Sequence, residues 1–352
     1  MSLEETRKGI DAIDSKILNL INQRMELALQ TARYKDKIED KDREKQVLDR
    51  AKLNLGRLIS SEFGEKIFTE IMQESKNIQE KRTKLLAFQG EHGAYSELAS
   101  RHWNPMAAPI PCVDFSGVFK DVLAGKVDEG IIPVENTLGG VVGEVNDLMI
   151  HSELFVVGEI NMPVHHSLMA LPGTDYRDIR VVYSHPQALA QCRNFLTRNK
   201  LEARAYYDTA GAAKFVRNEG PLSAAVIASS LCAELYGLEV IKDNIEDLQT
   251  NRTRFLIISK NENKSEGNKC SILFSTEHKA GTLFKVLECF AKDNINLTRI
   301  DSVPSQFGSY AFFVDFLGSS QDPKVSAVLQ KIGSLTQKFR ILGFYNERKI
   351  ET

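Results

Sequence analysis

Two sets of side chains in this sequence have the types and spacing to do chemistry. The first is cationic. Arg24 and Lys35 stand eleven residues apart, three helical turns, so at about 100° per residue they fall on nearly one face. Arg7 points roughly a quarter turn away. Asp40, Arg43 and Glu44 occupy neighbouring positions further on, and Ser75 and Gln79 form an i,i+4 pair on a later helical segment. Such a face can gather an anion, and the same charges suit a solvated helical bundle. The second set lies in four short polar segments: GEHGAYSELA at 90–99, PVENTLGG at 133–140, SHPQALAQC at 184–192 and NRTRF at 251–255. Each sits where an apolar run ends, and strand-end loops are where open α/β sheets bind ligands. Asn136, Ser184 and Thr253 are also ordinary capping residues, so each segment taken alone reads equally as a turn or a cap.

The elements that must position these residues change character along the chain. From Leu3 to about Arg82 there is no proline and dense alternation of charged and aliphatic residues, which predicts helix throughout. Ile10, Ile13, Ile17, Leu20, Leu27 and Ile38 approximate one helical stripe; a second pattern runs from about Asp42 to Leu58, and a third from Phe63 to Arg82 behind the cap candidates Ser60 and Ser61. At Lys84 short apolar runs begin, separated by glycine and proline: LLAF, EGIIPVEN, LFVVGEI, RVVYSHP, AAVIAS and RFLIIS. They alternate with helical stretches and predict an open α/β sheet. The polar run from Lys260 to Lys269 reads as a linker, after which the pattern is βαββαβ, the order of a ferredoxin-like domain.

At 352 residues the chain has room for two or three cores. Lys plus Arg number 45 against 47 Asp plus Glu, so no global charge excess favours nucleic acid or an anionic membrane, and any anion site has to be built locally. The five cysteines are scattered, with no CxxC spacing, which predicts neither structural disulfides nor a metal site. The polar start MSLEETRKGID and the lack of a long apolar run predict a cytoplasmic protein without a membrane span.

Residues 3–82 resemble the helical chorismate mutases, with Arg7, Arg24, Lys35, Asp40, Arg43, Glu44, Ser75 and Gln79 at positions matching that family's active-site pattern. The loop between Lys35 and Asp40 is about four residues shorter than in longer members. The resemblance implies a pericyclic rearrangement of the dicarboxylate chorismate to prephenate, which needs no nucleophile, metal or cofactor. Arg24 and Arg43 would clamp carboxylates, Lys35 and Gln79 would donate to the ether oxygen, and Glu44 would accept from the substrate hydroxyl. Arg7 would enter the site of a partner, since in that family the first helix pairs with its copy in a homodimer. Assembly of dimers into tetramers is left open.

Between Lys84 and Lys260 the four polar segments, in this order and spacing, resemble prephenate dehydratase, a two-lobed fold like type II periplasmic binding proteins with its site in the cleft. The resemblance implies conversion of prephenate to phenylpyruvate. Carried over by residue, Thr253, Glu135, Asn136 and Gln191 are the catalytic candidates, with Ser184, Arg254 and Phe255 binding substrate. His185 stands as an alternative acid or as a packed histidine ahead of Pro186. Residues 269–346 resemble the ACT domain that binds phenylalanine between subunits and inhibits such enzymes; Gly281, Leu283, Asn296 and Leu297 are the effector-binding candidates. Here Asp301, Ser302, Val303 and Pro304 stand where that family has Glu-Ser-Arg-Pro, and Thr282 replaces its usual alanine. The expected domains are thus 1–82, all-α; 84–262, α/β in two lobes; and 268–352, α+β. An oxidoreductase is disfavoured because no GxGxxG occurs. A binding protein that keeps the lobes without catalysis is the rival reading.

Overall fold

The structure, a computed structural model, describes residues 3–35, 37–53, 58–263, 266–304 and 310–351. Part of the expected linker (264 and 265), one residue of the 35–40 loop (36) and the end of the 295–305 signature (305) lie outside the described residues. The chain divides into two compact units, Met1–Leu85 with Met106–Ile110, and Leu86–Pro105 with Pro111–Thr352.

The first unit carries α1 (Leu3–Thr31), α2 (Lys41–Leu53) and α3 (Ser61–Glu80). Ser60 caps α3, its Oγ accepting from the Phe63 N–H at 3.2 Å, and Asp40 accepts from the Arg43 N–H at 3.0 Å at the start of α2. The first helix is shorter than its apolar stripe predicts. It ends at Thr31, a single 3-10 turn follows over Ala32–Tyr34, and Lys35 is extended at φ −123° and ψ 137°. Lys35 and Ile38 therefore leave the helical face expected for them. The reason is chain reach: a helix continued to Ile38 would leave only residues 39 and 40 to redirect the chain into α2, whereas extended residues each span about 3.3–3.6 Å. Few side chains are buried here, and Ile10, Ile13, Ile17, Leu20 and Leu27 remain between 48% and 64% exposed.

The chain continues with β1 (Leu85–Gln89), α4 (Tyr95–Trp103), β2 (Ala108–Cys112), α5 (Phe115–Leu123), β3 (Glu129–Asn136), β4 (Gly140–Val141), α6 (Gly143–His151) and β5 (Phe155–Pro163). A second lobe follows: β6 (Ser167–Ala170), β7 (Val181–Ser184), α7 (Pro186–Gln191), α8 (Arg193–Arg198), β8 (Glu202–Ala205), α9 (Thr209–Glu219), β9 (Ala224–Ala228), α10 (Leu231–Tyr236) and β10 (Glu239–Lys242), with its strands in the order β10-β6-β9-β7-β8. The chain then returns to the first lobe through β11 (Arg252–Ser259), which runs antiparallel between β3 and β5. Ile131, Ile132, Phe255 and Ile257 are almost wholly buried here, each worth about 1.5–3 kcal/mol, which is why these strands read as unbroken apolar runs. Two crossings join the lobes, and Glu246 on the return crossing ties them: it accepts from the His166 N–H at 2.9 Å and lies 2.8 Å from His165 Nδ1 on the outward one.

The last elements are β12 (Lys269–Thr276), α11 (Thr282–Lys292), β13 (Leu297–Pro304), β14 (Tyr310–Leu317), α12 (Pro323–Leu335) and β15 (Lys338–Tyr345). Their sheet is antiparallel in the order β13-β14-β12-β15, with both helices contributing to one core around Phe274, Phe290 and Phe316. A final strand, β16 (Glu347–Lys349), leaves this sheet to pair in parallel with β5. Gly343 makes the approach feasible: a Cβ there, at φ 155°, would sit 2.1 Å from the Val156 carbonyl oxygen.

Candidate functional site

In the helical unit α3 faces α1. Arg24 Nη1 donates to Ser75 Oγ at 2.6 Å, and Ser75 in turn bonds the Ile71 carbonyl at 2.8 Å. Burial and the nearby charge of Arg43 both lower the Arg24 pKa, which brings these two expected cations into one field. Glu44 is engaged by Lys76 at 3.3 Å, a cation that helical periodicity did not single out. Gln79 donates to the Ala28 carbonyl at 2.5 Å and lies 3.2 Å from Thr31 Oγ1, so in this state it caps the end of α1. Arg7, Lys35, Asp40 and Arg43 are exposed. The structure thus joins Arg24 to Ser75 with Arg43 near enough to be felt, holds Gln79 at the end of α1 and Glu44 on Lys76, while Lys35 departs from the shared face because the helix ends before it.

Between the two lobes lies a cavity of about 400 Å³. Its first-lobe wall includes Tyr95, Asn136, Gly139, Thr253 and Phe255; the second lobe and the crossings add His166, His185, Gln187, Gln191 and Asp208. The register of β3 on β11 sets Asn136 opposite Thr253. Asn136 Nδ2 reaches Thr253 Oγ1 and Asn251 Oδ1, each at 2.8 Å, and Asn251 Nδ2 reaches Gln191 Oε1 at 3.2 Å. The glycine pair after Asn136 has a physical cause: Gly140 holds φ 74°, and a Cβ on Gly139 would meet the Gln187 side chain at 2.2 Å. His185 caps α7, its Nδ1 accepting from the Gln187 N–H at 3.2 Å, while its ring also borders the cavity.

Three expected site residues stand elsewhere. Ser184 is fully buried and donates to the Ile227 carbonyl at 2.6 Å, because a hydroxyl enclosed at a strand end must find an acceptor. Arg254 follows Thr253 on a strand whose side chains alternate, and it is held by Asp315 of β14 at 2.8 Å and by Glu159 at 3.5 Å, outside the cavity wall. Burial disfavours its charge, but Asp315 and Glu159 outweigh this and raise its pKa. Glu135, opposite Arg254 in register, is 3.5 Å from its Nε and likewise lies off the wall. Around Arg254 the buried groups Glu159, Lys269, Ser271 and Tyr345 form one polar cluster.

A second cavity, about 370 Å³, lies in the C-terminal layer against Gly281, Leu283, Tyr310 and Phe312. Gly281 starts α11 at φ 83°, and Thr282 Oγ1 bonds the Glu277 and Lys279 carbonyls at 2.9 Å. Asn296 and Leu297 do not line it; Leu297 packs on the apolar core, and the Asn296 carbonyl accepts from the Leu317 N–H. Among the described residues, no group of three His, Cys, Asp or Glu is placed to hold a metal, and no helix is long and apolar enough to cross a membrane.

Sequence reading missed His166, Asn251 and Tyr95. Asn251 and Tyr95 fall inside two of the quoted polar segments, so the signal was present without a reason to choose them. His166 follows an apolar run, and its involvement depends on which strands are neighbours.

The chain matches the prephenate dehydratase family over residues 86–263 and the chorismate mutase type II family over residues 6–80. It is 36% identical to a bifunctional chorismate mutase/prephenate dehydratase of Stutzerimonas stutzeri, covering 97% of each chain. Among solved structures, one titled as a novel type of quorum quenching acylase, GqqA, is 34% identical with a TM-score of 0.71, covering 75% of this chain and 98% of that one. A prephenate dehydratase of Arthrobacter aurescens, in complex with L-Phe, is 28% identical with a TM-score of 0.69, covering 74% and 89%.

Proposed function

Since this chain belongs to the bifunctional chorismate mutase/prephenate dehydratases, and so rearranges chorismate to prephenate and converts prephenate to phenylpyruvate, we propose a division of labour among its residues. In the helical unit Arg24 and Arg43 bind the substrate carboxylates, and Glu44 accepts from its hydroxyl. Gln79 exchanges the Ala28 carbonyl for the ether oxygen as negative charge grows there. Exposed Lys35, on extended backbone, and exposed Arg7, on α1, complete the site, Arg7 in that of a second copy. The exposed stripe from Ile10 to Leu27 supports a homodimer through α1, since five large apolar side chains on one helix face are about half exposed among the described residues.

In the cleft, prephenate breaks its ring C–O bond and the bond to its ring carboxylate. The carboxylate leaves as CO2, its bonding electrons enter the ring, and the hydroxyl takes up one proton and leaves as water. The obstacle is expulsion of hydroxide, which a hydrogen-bond donor eases. Thr253 is the donor, water delivers the proton, and Asn136 and Gln191 orient the substrate. The observation that carries this reading is the Thr253–Asn136 contact of 2.8 Å on the wall of a cavity whose size suits a small organic acid.

The C-terminal βαββαβ layer is ferredoxin-like in strand order and acts as an ACT domain that binds phenylalanine beside Gly281 and Leu283, with exposed Asn296 facing a second copy and Leu297 anchoring that strand end on the layer's core. Arg254, bonded to Asp315 of this layer and adjacent to Thr253, links the two. The two-lobed dehydratase part follows the plan of type II periplasmic binding proteins, and the protein works in the cytoplasm. A coupled assay from chorismate to phenylpyruvate, with and without phenylalanine, tests the reading. Phenylpyruvate at neutral pH that falls with added phenylalanine supports it; acylase activity without phenylpyruvate overturns it.

A further inference from the structure

Backbone N–H groups, which can only donate, fix the orientation of Asn136 and through it that of Asn251 and Gln191. Asn136 Oδ1 accepts from the backbone N–H groups of Leu138 at 3.1 Å and Gly139 at 2.7 Å. Its Nδ2 must therefore face the other way, onto Thr253 Oγ1 and Asn251 Oδ1. Thr253 receives a hydrogen bond on its oxygen, which leaves its own proton for the cavity it lines. Asn251, fully buried and with its oxygen engaged by Asn136, turns its Nδ2 onto Gln191 Oε1.

His166, only 2% exposed, approaches that same oxygen through Nε2 at 2.6 Å. Its Nδ1 lies 2.7 Å from the Tyr95 hydroxyl, which is also 2.7 Å from the His165 carbonyl. Two protonation states fit. A neutral ring protonated on Nε2 accepts the Tyr95 proton at Nδ1; an imidazolium donates to the Tyr95 oxygen while Tyr95 donates to His165. Both keep a hydrogen on Nε2. A neutral ring protonated on Nδ1 would require Gln191 to turn its NH2 toward His166 and so against the NH2 of Asn251.

We propose that His166 and Asn251 are positioning residues for dehydration: they grip Gln191 Oε1 from two sides, so that the Gln191 NH2 and the Thr253 O–H proton are turned toward the departing hydroxyl and the substrate carboxylates. This deepens, and rests on, the reading of Thr253 and Gln191 as substrate-facing. Donors alone suit a dianion that expels hydroxide, and an acceptor at either position would oppose the charge that develops. His166 transfers no proton in this scheme.

The test measures prephenate turnover by the full chain for His166→Leu, His166→Gln, Gln191→Ala and the His166→Leu/Gln191→Ala double variant, with chorismate turnover as the folding control. His166→Leu and Gln191→Ala should each lower kcat/KM about tenfold to a hundredfold, as expected for one fixed donor. The double variant should be no worse than Gln191→Ala, because His166 acts only through Gln191. Glutamine at 166 carries an N–H near the Nε2 position and should restore most of the loss. Its pH–rate profile should follow that of the parent, whatever the titration of the Tyr95, His165 and Glu246 groups that face His166. Additive losses in the double variant overturn the proposal, as does a His166→Gln variant as impaired as His166→Leu with an altered pH profile, which would make His166 a proton donor. Normal turnover by Gln191→Ala marks the failure of the underlying reading and ends the proposal with it.

Discussion

In the helical unit the charged candidates Arg7, Lys35, Asp40 and Arg43 are exposed, and the apolar stripe of α1 is open along its length. In the cleft, Asn251 is fully buried, Thr253 is 9% exposed, and the amides are joined in one directed chain from the Leu138 N–H to Gln191. The two sites also differ in chemistry. As proposed above, the first relies on cations at the ends of flexible side chains, the second on neutral donors held by strands and a backbone turn. Neutral groups can be buried at low cost once hydrogen-bonded, so a single chain can finish such a site; a cluster of like charges cannot be enclosed before its anion arrives. An open cationic surface on the helix that carries an exposed apolar stripe is the arrangement that the homodimer proposed above would cover.

The sharpest way to break this comparison is Thr253→Val, which keeps branching and volume and removes only the hydroxyl. Phenylpyruvate formation should fall about a hundredfold to a thousandfold, the scale of one donor to developing negative charge, while chorismate turnover continues. Separate rate measurements on chorismate and on supplied prephenate check it, and an unimpaired valine variant would remove Thr253 from the reaction.

A smaller effect should come from Leu20→Glu, which places a carboxylate in the exposed stripe of α1. Burial of an unpaired charge at a dimer contact costs several kcal/mol, so the variant should sediment as a smaller species and lose chorismate turnover at least about tenfold. Dehydration of supplied prephenate should change little. Unchanged mass with full mutase rate would show that the stripe is not covered by a second copy.

The smallest change is expected at position 303. Val303 is half-buried opposite Ala311 on β13, where the family has arginine, and nearby Arg299 already bonds Asp301 at 2.5 Å and Asn146 at 2.7 Å. Phenylalanine binding should persist in this chain but be weak, and Val303→Arg should strengthen inhibition about threefold to tenfold, about 0.7 to 1.4 kcal/mol of coupling. Curves of dehydratase rate against phenylalanine that coincide for the two proteins would exclude position 303 from the switch.

Much of the architecture was legible because burial writes itself into composition. The runs LLAF, EGIIPVEN, LFVVGEI, RVVYSHP, AAVIAS and RFLIIS became β1, β3, β5, β7, β9 and β11, strands with neighbours on both sides or cores on both faces. The edge strands β8 and β10 and the short β16 were not visible, since EARA, EVIK and ERK expose most of their side chains and carry at most two large apolar residues in a row. Local signals also sufficed for the Ser60 cap and for the glycine-rich turn after Asn136.

By itself the sequence determined which residues could take part: cations on helices, and amides and a threonine at strand ends. Tertiary structure alone decided which of them meet. Helix periodicity placed Lys35 beside Arg24, but the need to turn into α2 ended the helix at Thr31. Adjacent residues Thr253 and Arg254 looked like one motif, yet strand alternation sends one to the cavity and the other to Asp315, sixty-one positions away. His166, on one crossing between the lobes, meets Gln191 of α7 far along the chain, and its backbone N–H is held by Glu246 on the other crossing. Spacing along a chain fixes a direction within one element; contacts between elements depend on register, chain reach and the demand that each buried polar group find a partner.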